Sequence, residues 1–322
     1  MPRAPRLLPR ASQSGIALIT AVLVVALAAI AAAAMLSAAN LAIHRTQNLQ
    51  ESEIAWWYAS GVESWARSIL ERDTEQNSYD SLRDIWAVPM DMLPIDEGSL
   101  RGRIVDLQGR YNLNNLAATN PAQYKEQLQI FVRLYTLATE TDEYQARAVA
   151  AAIRDYVDRD SEPTGTDGAE DSDYLGLTPP RRVPNRLMDS VSELLAVRGV
   201  TPKVYQRLLP HICALPESNT KINVNTATPM LMAALTDKPG TELQQFIEER
   251  AQKPAERIDD AFTKRQVFGP GAVSQERLSV SSDYFELQLE TFVGSRRLAL
   301  YSFLHRPGSA APTVYGRSTF TE

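Results

Sequence analysis

Residues 11–44, ASQSGIALITAVLVVALAAIAAAAMLSAANLAIH, contain no formal charge, and from Ile16 to Ala39 they are almost continuously apolar. As a helix this apolar run would rise about 36 Å, against a hydrocarbon layer of roughly 30 Å. A membrane-crossing helix is therefore expected. Arg3, Arg6 and Arg10 precede it, and Glu51 and Glu53 follow it. That charge order keeps the short amino terminus in the cytoplasm and the carboxy-terminal bulk on the far side of the membrane. A cleaved secretory signal has an apolar core of about 7 to 15 residues, so this run is too long for one. An ordinary signal anchor satisfies the same hydropathy.

Two features go beyond a plain anchor. The basic leader ends in Gln13-Ser14-Gly15, directly before Ile16-Ala17-Leu18-Ile19-Thr20. The helical pattern also continues past the membrane face, with Leu41, Leu49, Ile54, Trp57, Gly61, Trp65 and Ile69 on one stripe. One helix is expected to run from the membrane into the soluble domain, with Trp56, Trp57 and Trp65 serving its packing.

Leader, glycine, apolar helix and amphipathic extension together resemble the class III leader of type IV pilins and type II secretion pseudopilins. The resemblance implies that a prepilin peptidase cuts between Gly15 and Ile16 and methylates the new amino terminus. Most of that family has a glutamate at the fifth residue after the cut, where this chain has Thr20. A carboxylate inside a bilayer costs about 2.5–3.5 kcal/mol or more unless it meets a partner. Its absence resembles the K-type minor pseudopilin and implies an end position in the filament.

Beyond the helix, residues 72–98 contain Pro89 and Pro94 and read as a connector. Leu100 to Leu107 alternates as a first strand and Gln108-Gly109 supplies a turn. Helical spacing recurs twice between Pro121 and Val157, then over Ser190–Val197, Lys203–His211, Ala227–Leu235 and Glu242–Arg250, the last with Thr241 as its cap. Tyr284–Phe292 and Arg297–Leu304, joined by Val293-Gly294-Ser295-Arg296, form a hairpin signal. The expected fold class is α+β: a long amino-terminal helix, a pilin-like antiparallel sheet and a large all-helical insertion.

The resemblance extends along the chain through Asp106-Leu107-Gln108-Gly109-Arg110-Tyr111-Asn112-Leu113-Asn114 and Ile222-Asn223-Val224-Asn225-Thr226-Ala227. It implies a leader (1–15), a transmembrane and amphipathic helix (16–72), a pilin-like domain (73–118 and 278–306) and a helical insertion (119–277). A flexible tail is expected over 307–322. Implied partners are the I- and J-type minor pseudopilins in a ternary tip complex, the major pseudopilin, the prepilin peptidase and the inner membrane.

Asp155, Asp158, Asp160, Glu162, Asp167, Glu170, Asp171 and Asp173 crowd one loop with Pro163, Gly165 and Gly168. Composition alone describes a solvated acidic loop. Calcium would neutralise it, because that ion takes six to eight oxygen ligands from flexible loops. Neither cysteine nor histidine lies nearby to suit zinc or copper. The pattern Asp155-Tyr156, Asp158-Arg159-Asp160 and Gly168-Ala169-Glu170-Asp171 resembles the calcium loop of K-type pseudopilins. It implies Asp155, Asp158, Asp160, Glu170 and Asp171 as ligands, with Asp173 and Glu162 beside them.

A rival reading comes from Leu194-Leu195-Ala196-Val197-Arg198-Gly199-Val200, which looks like a helix-hairpin-helix unit. In a membrane-anchored, competence-type DNA receptor such a hairpin would hold phosphates. Charge opposes this: the leader arginines contribute +3 of the net −6, which leaves −9 after processing. No nucleic-acid partner is expected. Single Cys213 excludes an internal disulfide, and His44, His211 and His305 neighbour no nucleophile pattern. The chain reads as an assembly protein without a catalytic centre.

Overall fold

The computed structural model describes residues 14–269 and 271–319. In chain order the elements are α1 (Ser14–Gln76), β1 (Met90–Ile95), β2 (Gly98–Asp106), β3 (Tyr111–Asn112), α2 (Pro121–Thr139), α3 (Glu143–Val157), α4 (Asp171–Leu175), α5 (Pro202–Leu208), β4 (Ile212–Cys213), β5 (Ile222–Asn223), α6 (Pro229–Ala234), α7 (Thr241–Glu249), β6 (Leu278–Ser279), β7 (Tyr284–Val293), β8 (Arg296–His305) and β9 (Thr313–Thr319). The leader arginines lie outside the described residues.

Helix α1 is unbroken for 63 residues, about 95 Å of rise. Its apolar half packs against nothing else among the described residues: Ile16, Val25 and Met35 are all more than 65% exposed. The Thr20 hydroxyl donates back to the Ile16 and Ala17 carbonyls at 3.1 and 3.0 Å, so this polar residue is satisfied inside its own helix. Past the membrane stretch the buried stripe is Ala55, Ala59, Ala66 and Leu70. Small side chains let the helix lie close on the sheet, and the bulky Leu49, Trp56, Trp57 and Trp65 face outward instead of packing.

The sheet is antiparallel throughout, in the order β1-β2-β7-β8-β9. β2 and β7 are spatial neighbours, with Val105 opposite Glu286, and the whole helical region emerges between them. Phe285, Leu287, Leu289, Leu300 and Leu304 form the face that meets α1, with Trp86 edge-on to Phe285 at 5.2 Å. Polar pins fix the helix along this face. Glu51 accepts from the Ser295 amide and hydroxyl at 3.1 and 3.0 Å, and Glu63 accepts from Ser302 and Arg317 at 2.6 and 2.7 Å. Gly294 turns at φ +53, where an added Cβ would sit 2.5 Å from Glu51.

At the end of α1, Arg306 is buried and bonds the Leu70 carbonyl, Asp73 and Asp80 at 3.0, 3.4 and 2.6 Å. Asp80 also accepts from the Ser282 amide, and its carbonyl accepts from Asn223 and Asn225 of the insertion. This is the seam between sheet and insertion.

The insertion has its own core, running from Tyr111 through α2, α3, α6 and α7 to Leu278. An asparagine clasp is built into it twice. Asn112 accepts from the Asn114 amide, and Asn114 brackets Met188 through both of that residue's main-chain groups, each at 2.9 Å. Asn223 accepts from the Asn225 amide, and Asn225 brackets Ala255 in the same way at 2.8 and 2.9 Å. Parallel pairs β3·β4 and β5·β6 accompany the two clasps. These asparagines therefore reach across the fold as well as holding their own turns.

Several expectations need correction. Residues 313–319 are strand β9 on the edge of the sheet, not part of a flexible tail; Val314 packs toward the core, and Pro307 and Gly308 punctuate only the turn before it. The 72–98 connector holds β1, an edge strand that tolerates Pro94 because its outer side needs no ladder donor. Residues 191–196 are 3-10 helix, and Gly240, not Thr241, occupies the cap of α7.

Candidate cation site

Helix α3 buries Asp155 completely on its inner face. One of its oxygens accepts from the Thr164 amide at 2.9 Å and the other from the Ala169 amide at 2.6 Å. This carboxylate cinches the loop. Gly168 is required beside it, since an added Cβ would lie 2.3 Å from Asp155 and 2.4 Å from the Thr164 nitrogen.

Within the cinched loop, Asp158, Asp160 and Glu170 converge, with one oxygen of each within 4.8 Å of the others. Glu170 is only 4% exposed, and neither of its oxygens receives a well-formed hydrogen bond. One Asp158 oxygen is buried in the same condition. Burial first, then the surrounding carboxylates, pushes Glu170 up to about 7 and Asp158 up to about 6. Unneutralised acids held this way fit a hard divalent cation with oxygen ligands.

The other acids expected at the site have different occupations. Asp171 accepts from the Val183 amide at 3.0 Å. Asp173 accepts from the Glu170 amide and pairs with Arg198 at 2.5 Å. Asp167 accepts from the Tyr144 hydroxyl, and Glu162 is exposed outside the cluster. A second group, Asp73, Asp80 and Asp84, also converges. Arg306 already pairs with two of its members, and Asp84 accepts from the Ser81 amide and hydroxyl.

Arg198 was not foreseen in this role. It belongs to the glycine hairpin, yet its guanidinium turns onto the acidic loop and donates to the Asp167 and Gly168 carbonyls at 2.5 and 2.7 Å. Gly199, at φ +85, lies against Val149 of α3. The hairpin therefore packs helices and braces the loop, and its basic residue is spent internally.

A family model for type II secretion system protein K matches residues 109–217, which include this loop and hairpin. The chain is 34% identical over 310 residues to the type II secretion system protein K of Aeromonas hydrophila, covering 91% of this chain and 93% of that one. The chain belongs to the type II secretion system protein K family. The protein K of Pseudomonas aeruginosa is likewise 34% identical, over 92% of this chain and 90% of its own. The fold matches a chain in the crystal structure of the GspK-GspI-GspJ complex from the enterotoxigenic Escherichia coli type 2 secretion system, with TM-score 0.76 and 28% identity. That match spans 86% of this chain and all of the other. As a protein K, the chain is a minor pseudopilin of type II secretion, a structural component, and the DNA-receptor reading is set aside. Among the described residues one helix is long and apolar enough to cross a membrane, which is compatible with a single-pass anchor.

Proposed function

We propose that this protein K is held in the inner membrane by α1, with its soluble part in the periplasm, and works without catalysis as a tip subunit of the pseudopilus. The observation that carries this reading is the continuity of α1. Its exposed apolar half and its sheet-packed half are one rigid helix, so a force on the membrane segment reaches the soluble domain without a hinge. Internally satisfied Thr20 has no charge to offer a neighbouring subunit, which suits the end of a filament. By analogy with the complex from enterotoxigenic Escherichia coli, its partners are the I- and J-type minor pseudopilins, with the major pseudopilin below.

The Gly15–Ile16 bond lies in the first turn of α1, and we assign it as the prepilin peptidase cut, followed by methylation. Intact-mass analysis of membrane-extracted protein is expected to find a chain starting at methylated Ile16. A chain retaining residues 1–15 in cells with active peptidase would refute this processing.

Calcium is the cation we assign to Asp158, Asp160 and Glu170, with Asp155 shaping the loop. When bound it supplies positive charge that removes the repulsion among these acids. Asp155 and Arg198 then have only to keep the loop closed around it, and the role of the ion is structural.

A further inference from the structure

The contacts between α1 and the sheet follow one another outward from the membrane: Glu51 with Ser295, Glu63 with Ser302, and the Leu70 carbonyl with Arg306. β8 therefore climbs beside α1, and the β7–β8 turn is the membrane-ward end of the sheet. The β1–β2 turn shares this rim, since the Gly294 amide donates to the Glu97 carbonyl at 3.4 Å. Glu51 lies about 12 Å of helical rise beyond Ile43, the last residue before His44 and Arg45. Roughly 5–8 Å of that height is taken by the lipid headgroups on each side of the hydrocarbon.

From Ile16 to Ile43 the helix carries no formal charge and rises about 42 Å, against roughly 30 Å of hydrocarbon. A run this long settles by tilting, and the charged residues at its ends set the direction. The soluble part must follow the tilt, because α1 is unbroken through Gln76. Arg45 stands about five turns below Glu63 and so projects on the same side of the helix, the side that meets Ser302. Of the next acids, Glu51 is held by Ser295 and Glu53 is exposed away from the sheet.

At the rim, Arg296 is exposed and forms no ion pair among the described residues. The Glu51 carboxylate beside it is already bonded to Ser295. Arg297 and Arg101 share one partner, Glu290. Asp96 and Glu97 are exposed on the adjoining turn. A rim bearing both signs fits a zwitterionic headgroup, whose phosphate pairs with a guanidinium and whose ammonium pairs with a carboxylate.

We propose that the membrane-ward rim of the sheet rests on phospholipid headgroups, with Arg45 and Arg296 on lipid phosphates, so that the unassembled subunit leans toward its sheet side. The proposal rests on the reading of α1 as a membrane anchor. This lean turns the exposed Trp57 and the open side of Gly61 away from the bilayer, where another subunit can reach them.

The test is a depth measurement by spin labelling on the full chain. It compares nanodiscs of phosphatidylethanolamine and phosphatidylglycerol with a maltoside detergent, which has no phosphate. Labels are placed through Asp96→Cys at the rim, Ser309→Cys beyond the other end of β8 and Val25→Cys inside the anchor; Cys213 is buried and stays unlabelled. Collisions with a water-soluble nickel chelate should fall severalfold at position 96 on transfer to nanodiscs and stay unchanged at position 309. Combining Arg45→Gln with Arg296→Gln should restore access at position 96, while melting in detergent stays as in the wild type. Equal access at position 96 in nanodiscs and detergent overturns the proposal. A rim label still shielded in the double variant overturns it as well, because the arginines are then not what holds the rim down. A label at position 25 open to the chelate in nanodiscs removes the anchor reading itself, a result distinct from both.

Discussion

Asp155 and Glu170 stand in one loop and should respond to substitution in opposite ways. Asp155 is fully buried with each oxygen on a main-chain amide. An asparagine there can serve only one of the two, and its NH2 group faces the other donor. Loss of one charge-assisted bond and the stranding of an amide should cost about 2–4 kcal/mol. For a domain of this size that lowers Tm by roughly 5–15 °C, in chelator and in calcium alike. Glu170 has no donor and is pushed up to about 7 by burial and by Asp155, Asp158, Asp160 and Asp171. A raised carboxylate binds its proton more tightly in the folded state, so its contribution is lost as pH rises through about 7. At pH 8 in chelator, Glu170→Gln should therefore stabilise the chain, by about 1–3 kcal/mol. Saturating calcium should reverse that order, since the wild type gains about 2.7 kcal/mol at one hundred times Kd and the variant gains less. Thermal melts of the two variants in both buffers decide the matter. A penalty for Asp155→Asn that appears only with calcium would make Asp155 a ligand and not a clasp; a Glu170→Gln chain less stable than wild type in chelator would refute the unpaired carboxylate.

Two further predictions concern the seam. Arg306→Met should cost about 3–5 kcal/mol in urea unfolding, because it strands Asp73 and Asp80 in a buried setting; a loss under 1 kcal/mol would mean the pairing is dispensable. Burial, with neighbouring acids, pushes Asp73 up to about 7 and Asp106 up to about 6. Their stabilisation is complete below about pH 4 and is lost as pH rises through 6 to 7. Glu51 and Glu63 are shifted downward and matter only at lower pH. In saturating calcium the urea midpoint should therefore be higher at pH 5.5 than at pH 8, and Asp73→Asn should flatten the difference. A midpoint that rises with pH in both chains would contradict the buried seam.

Much of this architecture is written locally. The apolar run and the absence of a breaker after it made α1 legible as one helix, and Val293-Gly294-Ser295-Arg296 announced the β7–β8 hairpin. β1 was hidden by Pro94 and its acidic neighbours, which an edge strand accepts and a central one would not. β9 was hidden because Pro307 and Gly308 end one element without saying whether another follows. In the acidic loop the crowding of carboxylates was visible, but not their division of labour. Whether Asp155 meets an ion or the amides of residues nine and fourteen positions later depends on how the loop closes, which spacing does not encode. Arg198 carried no sequence signal at all, because it acts across 25 or more residues of chain.

The most direct test of the central claim is to co-express the full-length chain with its prepilin peptidase and the I- and J-type minor pseudopilins, then extract and size the complex under native mass spectrometry. A 1:1:1 assembly containing the chain cut before Ile16 is expected. Recovery of the processed chain alone, with the I- and J-type subunits assembled without it, would contradict a role at the tip.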